Sequence, residues 1–305
     1  LTYMPWTMGN QWVNVTWGNL SLNLQVTVTE GIPVLLVMTS HPQIPAGETR
    51  DFNWTAYDMH DNVITPFRLG TVNWTAENGT ISSTGEYSAY GVGFWNVTLS
   101  TAAGLNITHL VETTHGAIDE LELTGSATSL TADEELLFWT VRIDVMGNRL
   151  NMTLPLEAWA WSNGSLFAED PVRWTPWVSS YEWVEATLEG LTTRAEISVF
   201  HGEPVGISIR TQGDTTLASG NSATVNAYAY DQHGNEWVAT IDSGEIVEPM
   251  AVNDWLSGQI AYAEFDAVIV GDWTVKATYM HEGTLALSDE IVFTVTSGPL
   301  SSIVI

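Results

Sequence analysis

The chain alternates apolar and polar residues with a period of two along much of its length. Phe52, Trp54 and Ala56 share one face of such a run, with Asn53, Thr55 and Tyr57 on the other. Val72, Trp74 and Ala76 oppose Asn73 and Thr75, and Trp95, Val97 and Leu99 oppose Asn96 and Thr98. That period belongs to half-buried antiparallel strands, with an apolar face inward and a polar face in water. Turn clusters separate the runs about every 8–12 residues, and no run keeps helical periodicity over three turns. The pattern predicts an all-β protein.

The strands recur. Gly31, Gly116, Gly202 and Gly298 stand 85, 86 and 96 residues apart. Each precedes the same short strand, with apolar pairs Leu36/Met38, Leu121/Leu123, Ile207/Ile209 and Ile303/Ile305. A second register keeps nearly the same step: residues 58–62 (DMHDN), 144–148 (DVMGN) and 231–235 (DQHGN) are 86 and 87 apart. Two agreeing registers make an internal repeat, and its length suits a small β-sandwich.

Composition narrows the function. Asp and Glu total 36 but Lys and Arg only 8, so the net charge of −28 arises from a shortage of cations. Such a surface repels phosphate backbones and anionic lipid headgroups, which argues against nucleic-acid partners and membrane insertion. Cysteine is absent, which excludes disulfides, thiol nucleophiles and zinc–thiolate sites. The longest apolar run, residues 32–38, is far short of the ~20 residues a membrane span requires.

The alternating run 223–230 leads into DQHGN, and NWTAENGTISSTGEYSAYGVGFWNVT (73–98) follows the corresponding turn of the first repeat. These stretches resemble the bacterial Ig-like repeats of prokaryotic cell-surface adhesins and the repeats of archaeal surface-layer-type glycoproteins. The resemblance spans all three full repeats. In the second, SNGSLFAEDPVRWTPW (162–177) stands in place of the NGTIxxxGxY stretch and leaves the middle strands unassigned. The resemblance implies tandem Ig-like β-sandwich domains and an extracellular, cell-surface location. It implies no chemistry, because such folds host many roles.

The glycines set the expected boundaries. Residues 1–30 form the C-terminal strands of a partial repeat, with 13–16 matching 95–98. Residues 31–115, 116–201 (Trp-rich) and 202–297 are full repeats, and 298–305 supply the first strand of a further one. The chain is therefore expected to be a piece of a longer array. Strand exchange through residues 301–305 is the alternative, since a lone first strand exposes unpaired backbone. The joints THG, FHG and TSG are short, which predicts closely spaced repeats.

Nine asparagines open Asn-x-Ser/Thr sequons: Asn14, Asn19, Asn53, Asn73, Asn78, Asn96, Asn106, Asn151 and Asn163. Several fall on outward strand positions or in Asn-Gly turns, as a bulky surface glycan requires. Trp12, Trp95, Trp183 and Trp273 near repeat ends are expected to pin the core. Trp174 and Trp177 lie in a Pro-bounded segment, where exposed rings would stack on sugars; burial is the competing expectation. The Asp-x-x-x-Asn segments read as hairpin turns, with Gly147 and Gly234 supplying positive φ and Asp61 in their place in the first repeat. Each offers only one or two oxygens, against the six to eight that calcium takes, so no metal site or cofactor is expected beyond weakly held cations such as calcium.

No catalytic constellation emerges. His60 and His233 sit in the turns and His115 and His201 at the joints. His109 replaces an apolar residue (Leu24, Ile291 in its counterparts) and reads as a core histidine. The expected function is structural: a component of a surface layer, filament or stalk, bearing N-linked glycans, with copies of itself, neighbouring surface proteins and cations as partners. The alternative is an adhesin or carbohydrate-binding module using Trp174 and Trp177.

Overall fold

A computed structural model describes residues 2–239, 243–247, 262–281 and 285–299. The calls on Ile303, Ile305 and the strand at 301–305 lie outside these residues. The chain divides into two compact units, Leu1–Glu122 with Val141–Met152, and Leu123–Thr140 with Thr153–Ile305.

The first unit opens with an isolated hairpin, Gly9–Trp17 paired antiparallel with Leu20–Val28. A sandwich follows. One sheet joins Pro33–Met38, Trp54–Asp58 and Val63–Ile64. The facing sheet runs Gln43–Pro45, Asn106–Thr114, Gly93–Thr101 and Val72–Ala76, its first pair parallel and the rest antiparallel. Thr80–Ile81, Glu86–Ser88 and Thr49–Asp51 make a small third sheet. The inward residues of the alternating runs fill the core: Leu36, Phe52, Ala56, Trp74, Val97, Leu99 and Val111 are buried with Ile44 and Tyr87. A single turn of helix, Pro66–Leu69, lends it Leu69.

The second unit repeats the plan. Ser129–Thr131, Leu191–Phe200, Tyr181–Leu188 and Trp159–Trp161 form one sheet, again with a parallel first pair. Val172–Thr175 pairs with Ser165–Phe167 and with residues 136–138. The third repeat sets Pro204–Thr211, Ser222–Asp231, Glu236–Val238 and Tyr262–Asp266 against a sheet of Thr216–Ala218, Leu285–Thr296, Gly271–His281 and Ser243–Val247. Its core holds Ile207, Ile209, Val225, Phe265, Trp273, Val275 and Phe293. All three repeats share one parallel pair between an early strand and the last strand. The fold is all-β, a series of tandem Ig-like sandwiches.

Three expectations need correction. The second repeat does keep the middle hairpin, and Trp174 fills the core place held by Tyr87 in the first. Of the four tryptophans expected as pins, only Trp273 is buried; Trp12 is 67% exposed, and Trp95 and Trp183 are half-buried. Arg194 lies over the Trp183 ring at 4.4 Å. Finally, the hairpin register equates Gly9 with Gly93, 84 residues on, because both open nine-residue strands at positive φ (119° and 141°). Residues 13–16 therefore match 97–100 rather than 95–98. A shift of two leaves every side chain on the same strand face, so alternation alone could not detect it.

Candidate functional site: the joint between repeats

The two repeating registers meet at one place. Asp58, in the first turn, is 4% exposed. Its Oδ2 accepts the Gly31 N–H at 2.9 Å, and its Oδ1 accepts the N–H groups of His60 (2.9 Å) and Asn62 (3.0 Å). The Asn62 side-chain amide donates to the same carboxylate at 3.0 Å. Asp144 repeats the set with Gly116 (3.0 Å), Met146 (2.9 Å), Asn148 N–H (2.9 Å) and the Asn148 amide (3.0 Å). Asp231 does so with Gly202 (2.8 Å), His233 (2.9 Å), Asn235 N–H (2.9 Å) and its amide (2.7 Å). Asp144 and Asp231 are each 1% exposed. The turn glycines Gly147 and Gly234 both have φ +81°, and Asp61 takes the same left-handed region at +60°.

Each carboxylate thus faces four N–H donors. Burial pushes its pKa up, but the asparagine amide and the backbone N–H groups prevail and hold all three below the usual carboxylate range. Oxygens engaged in this way are poorly placed to ligate calcium. Among the described residues no group of three or more His, Cys, Asp or Glu is arranged to hold a metal ion.

The asparagine then reaches out of its own repeat. Asn62 Nδ2 donates to Trp6 O at 2.9 Å while its Oδ1 accepts the Met8 N–H at 3.0 Å. Asn148 binds Tyr90 O (2.8 Å) and the Val92 N–H (3.3 Å). Asn235 binds Trp177 O (2.8 Å) and the Ser179 N–H (2.9 Å). One carboxamide therefore clamps the carbonyl of residue n and the N–H of residue n+2, as a neighbouring strand would. Both halves of each clamp lie inside one unit.

Packing reinforces two of the clamps: Trp6 stacks on His60 and Trp177 on His233, with centroids 6.0 and 6.2 Å apart and planes within 15°. In the third joint, His233 Nε2 also lies 3.0 Å from Asp133 Oδ1. The joint glycine has a steric role in the middle joint. A Cβ on Gly116 would lie 2.0 Å from Ala46 O, so no larger residue fits without displacing backbone.

The sequence-predicted sites fall elsewhere or fall apart. Trp174 is wholly buried, its indole N–H donating to Asn163 O at 2.8 Å, whereas Trp177 is 48% exposed at the joint. They present no common stacking platform, because three residues along this segment separate a core position from a surface one. Asn14, Asn19, Asn53, Asn73, Asn106 and Asn151 are exposed. Asn96 is half-buried, its amide donating to Glu77 at 3.1 Å. Asn78 Oδ1 accepts the Gly91 N–H at 2.6 Å, and Asn163 Oδ1 accepts from Trp177 and Val178 at 2.8 and 3.1 Å. Asn163 Nδ2, the atom a glycan would occupy, is buried. His109 is half-buried and accepts the His41 N–H at 3.2 Å beside Phe52.

Sequence reasoning missed the clamp. A signal was available in the aromatic pairs YMPW (3–6), YSAY (87–90) and WTPW (174–177), which repeat 84 and 87 residues apart. The second aromatic of each pair is the clamped residue.

Sandwiches with this pairing, joined by a recurring hydrogen-bonded turn, define a tandem Ig-like protein. Family models give no match, and curated proteins give no significant one. By structure the chain is similar to the Escherichia coli adhesin FdeC, with 15% identity and TM-score 0.43, over 88% of this chain and 100% of that one. It is also similar to domains 1–6 of the surface layer protein SbsC (15%, TM-score 0.32, 92% of this chain and 42% of that one). Invasin, a bacterial integrin-binding protein, matches at 13% and TM-score 0.39 over 95% of this chain and 65% of that one. The chain thus spans less than half of the SbsC structure and just under two thirds of the invasin one.

Proposed function

We propose that the chain is a structural segment of an extracellular cell-surface assembly, a surface layer, filament or stalk, built from repeats at 31–115, 116–201 and 202–297. The carboxamide clamp carries this reading, because it recurs at the joints of Gly31, Gly116 and Gly202 and ties the turn of one repeat to the backbone of the preceding one. A joint with two directed hydrogen bonds and a close glycine contact resists bending more than a free linker does. Copies of the chain or neighbouring surface proteins are the partners, and the acidic surface gathers cations. N-linked glycans occupy exposed sequons. The aromatic carbohydrate reader loses its pair with the burial of Trp174.

Electron microscopy of the native material at physiological salt, with and without a chelator, tests the assembly. Ordered sheets or filaments are expected; dispersed single molecules under every condition would overturn it. Glycopeptide mass spectrometry should find occupancy among Asn14, Asn19, Asn53, Asn73, Asn106 and Asn151, and none at Asn163.

A further inference from the structure

Residues 268–270, at the far end of the third repeat, stand where earlier repeats present the backbone that an asparagine grips. Three features fix the correspondence. Gly271 and Gly93 both have φ +141°, and each opens the same strand. Trp273 Nε1 donates to Ile269 O at 2.8 Å, as Trp95 Nε1 donates to Gly91 O at 2.6 Å. The Gly220 N–H donates to Ala267 O at 2.7 Å, as the Gly47 N–H donates to Ala89 O at 2.8 Å. Val268 is therefore the counterpart of Tyr90 and Val270 that of Val92, the two residues that Asn148 holds.

Among the described residues nothing closes this grip. Val268, Ile269 and Val270 are 67, 50 and 58% exposed, three consecutive apolar residues on a strongly acidic protein. The Val270 N–H has no partner among the described residues. Val268 O accepts the Ser219 hydroxyl at 2.8 Å, which leaves its second lone pair. The glycine contact is also set: a Cβ on Gly298 would lie 2.5 Å from Ser219 O, and one on Gly116 would lie 2.0 Å from the corresponding Ala46 O.

We propose that residues 268–270 are the receiving half of a fourth clamp, whose occupant is the Asp-x-x-x-Asn turn of a further repeat of this kind. A carbonyl and an N–H two residues apart are satisfied together by one carboxamide, which supplies both a donor and an acceptor. A cation or a carboxylate could satisfy only one of the two. An unchanged second copy is not the occupant, because Asn62, Asn148 and Asn235 are already engaged within the chain. The inference rests on the clamp geometry and not on where the protein resides.

The test extends the full chain with a copy of residues 31–115 in place of 298–305 and follows amide exchange at Val270. Exchange should slow by about tenfold or more, equivalent to ~1.4 kcal/mol of coupling. Asn62→Ala in the appended copy should restore the original rate. Val270→Pro, which removes the N–H, should uncouple the unfolding of the appended repeat from that of the third. Unchanged exchange at Val270 beside an appended repeat with protected core amides would sink the proposal. So would failure of the appended repeat to fold on the full chain, since the strip is held to support it. The clamp itself is tested independently at Asn148, so the two ideas can fail separately.

Discussion

At the scale of single residues, the joint turns on an asparagine that behaves as a detached peptide unit. Asp144 holds the amide of Asn148 from behind, so its Nδ2 and Oδ1 meet Tyr90 O and the Val92 N–H without a search through rotamers. Asn148→Ala removes those bonds and strips one donor from a buried carboxylate, at a cost of about 1–3 kcal/mol. Urea unfolding should show it as a lower midpoint; a loss within ~0.5 kcal/mol would mean the contact is incidental. Acid should act on the same group. The folded pKa values of Asp58, Asp144 and Asp231 are depressed, so their stabilisation is fully present above the unfolded value near pH 4. It is lost as pH falls below that value towards the folded ones. Exchange protection at the Gly31, Gly116 and Gly202 amides should therefore hold from pH 7 to about 5 and collapse in stronger acid. Loss of protection already at pH 6 would show that these carboxylates are not what holds the joint.

At the scale of elements, strand and turn meet where the Asp-x-x-x-Asn hairpin touches the start of its own repeat. Gly116→Ala should destabilise the first unit by ~1–3 kcal/mol, because its Cβ would meet the backbone of Ala46 at 2.0 Å. Gly31→Ala should cost less, since its nearest neighbour is a side-chain oxygen of Asp58 at 2.9 Å. Thermal unfolding of the two variants would rank them, and the reverse order would contradict the steric account. Much of this level was legible in the sequence. Alternation identified the inward faces of the strands through Phe52, Trp74 and Val97, and both registers were visible as Gly31 and Asp58 and their counterparts. What they did to each other was not legible, because a hydrogen bond from Gly31 to Asp58 spans 27 residues and leaves no mark on either local pattern. The tryptophans misled for a related reason: alternation tells which face a ring occupies but not whether another sheet covers it. Trp12 on an unaccompanied hairpin stays in water, while Trp174 inherits a covered site from Tyr87.

At the scale of the whole molecule, charge dominates. A net charge of −28 with few cations repels itself most strongly where salt is dilute. Raising monovalent salt from ~10 mM to ~1 M shortens the Debye length from about 30 to 3 Å and should raise the melting temperature. A flat or falling response would show that the acids are already paired. The clamps should be less sensitive to salt than the surface, since their partners are backbone groups. That last property has an evolutionary consequence. On the receiving side the clamp reads only a carbonyl and an N–H, and Trp6, Tyr90 and Trp177 serve it equally. Recombination that duplicates, deletes or reorders repeats therefore keeps these two hydrogen bonds whatever residue is gripped, and only the stacked rings and the glycine contact have to be matched anew.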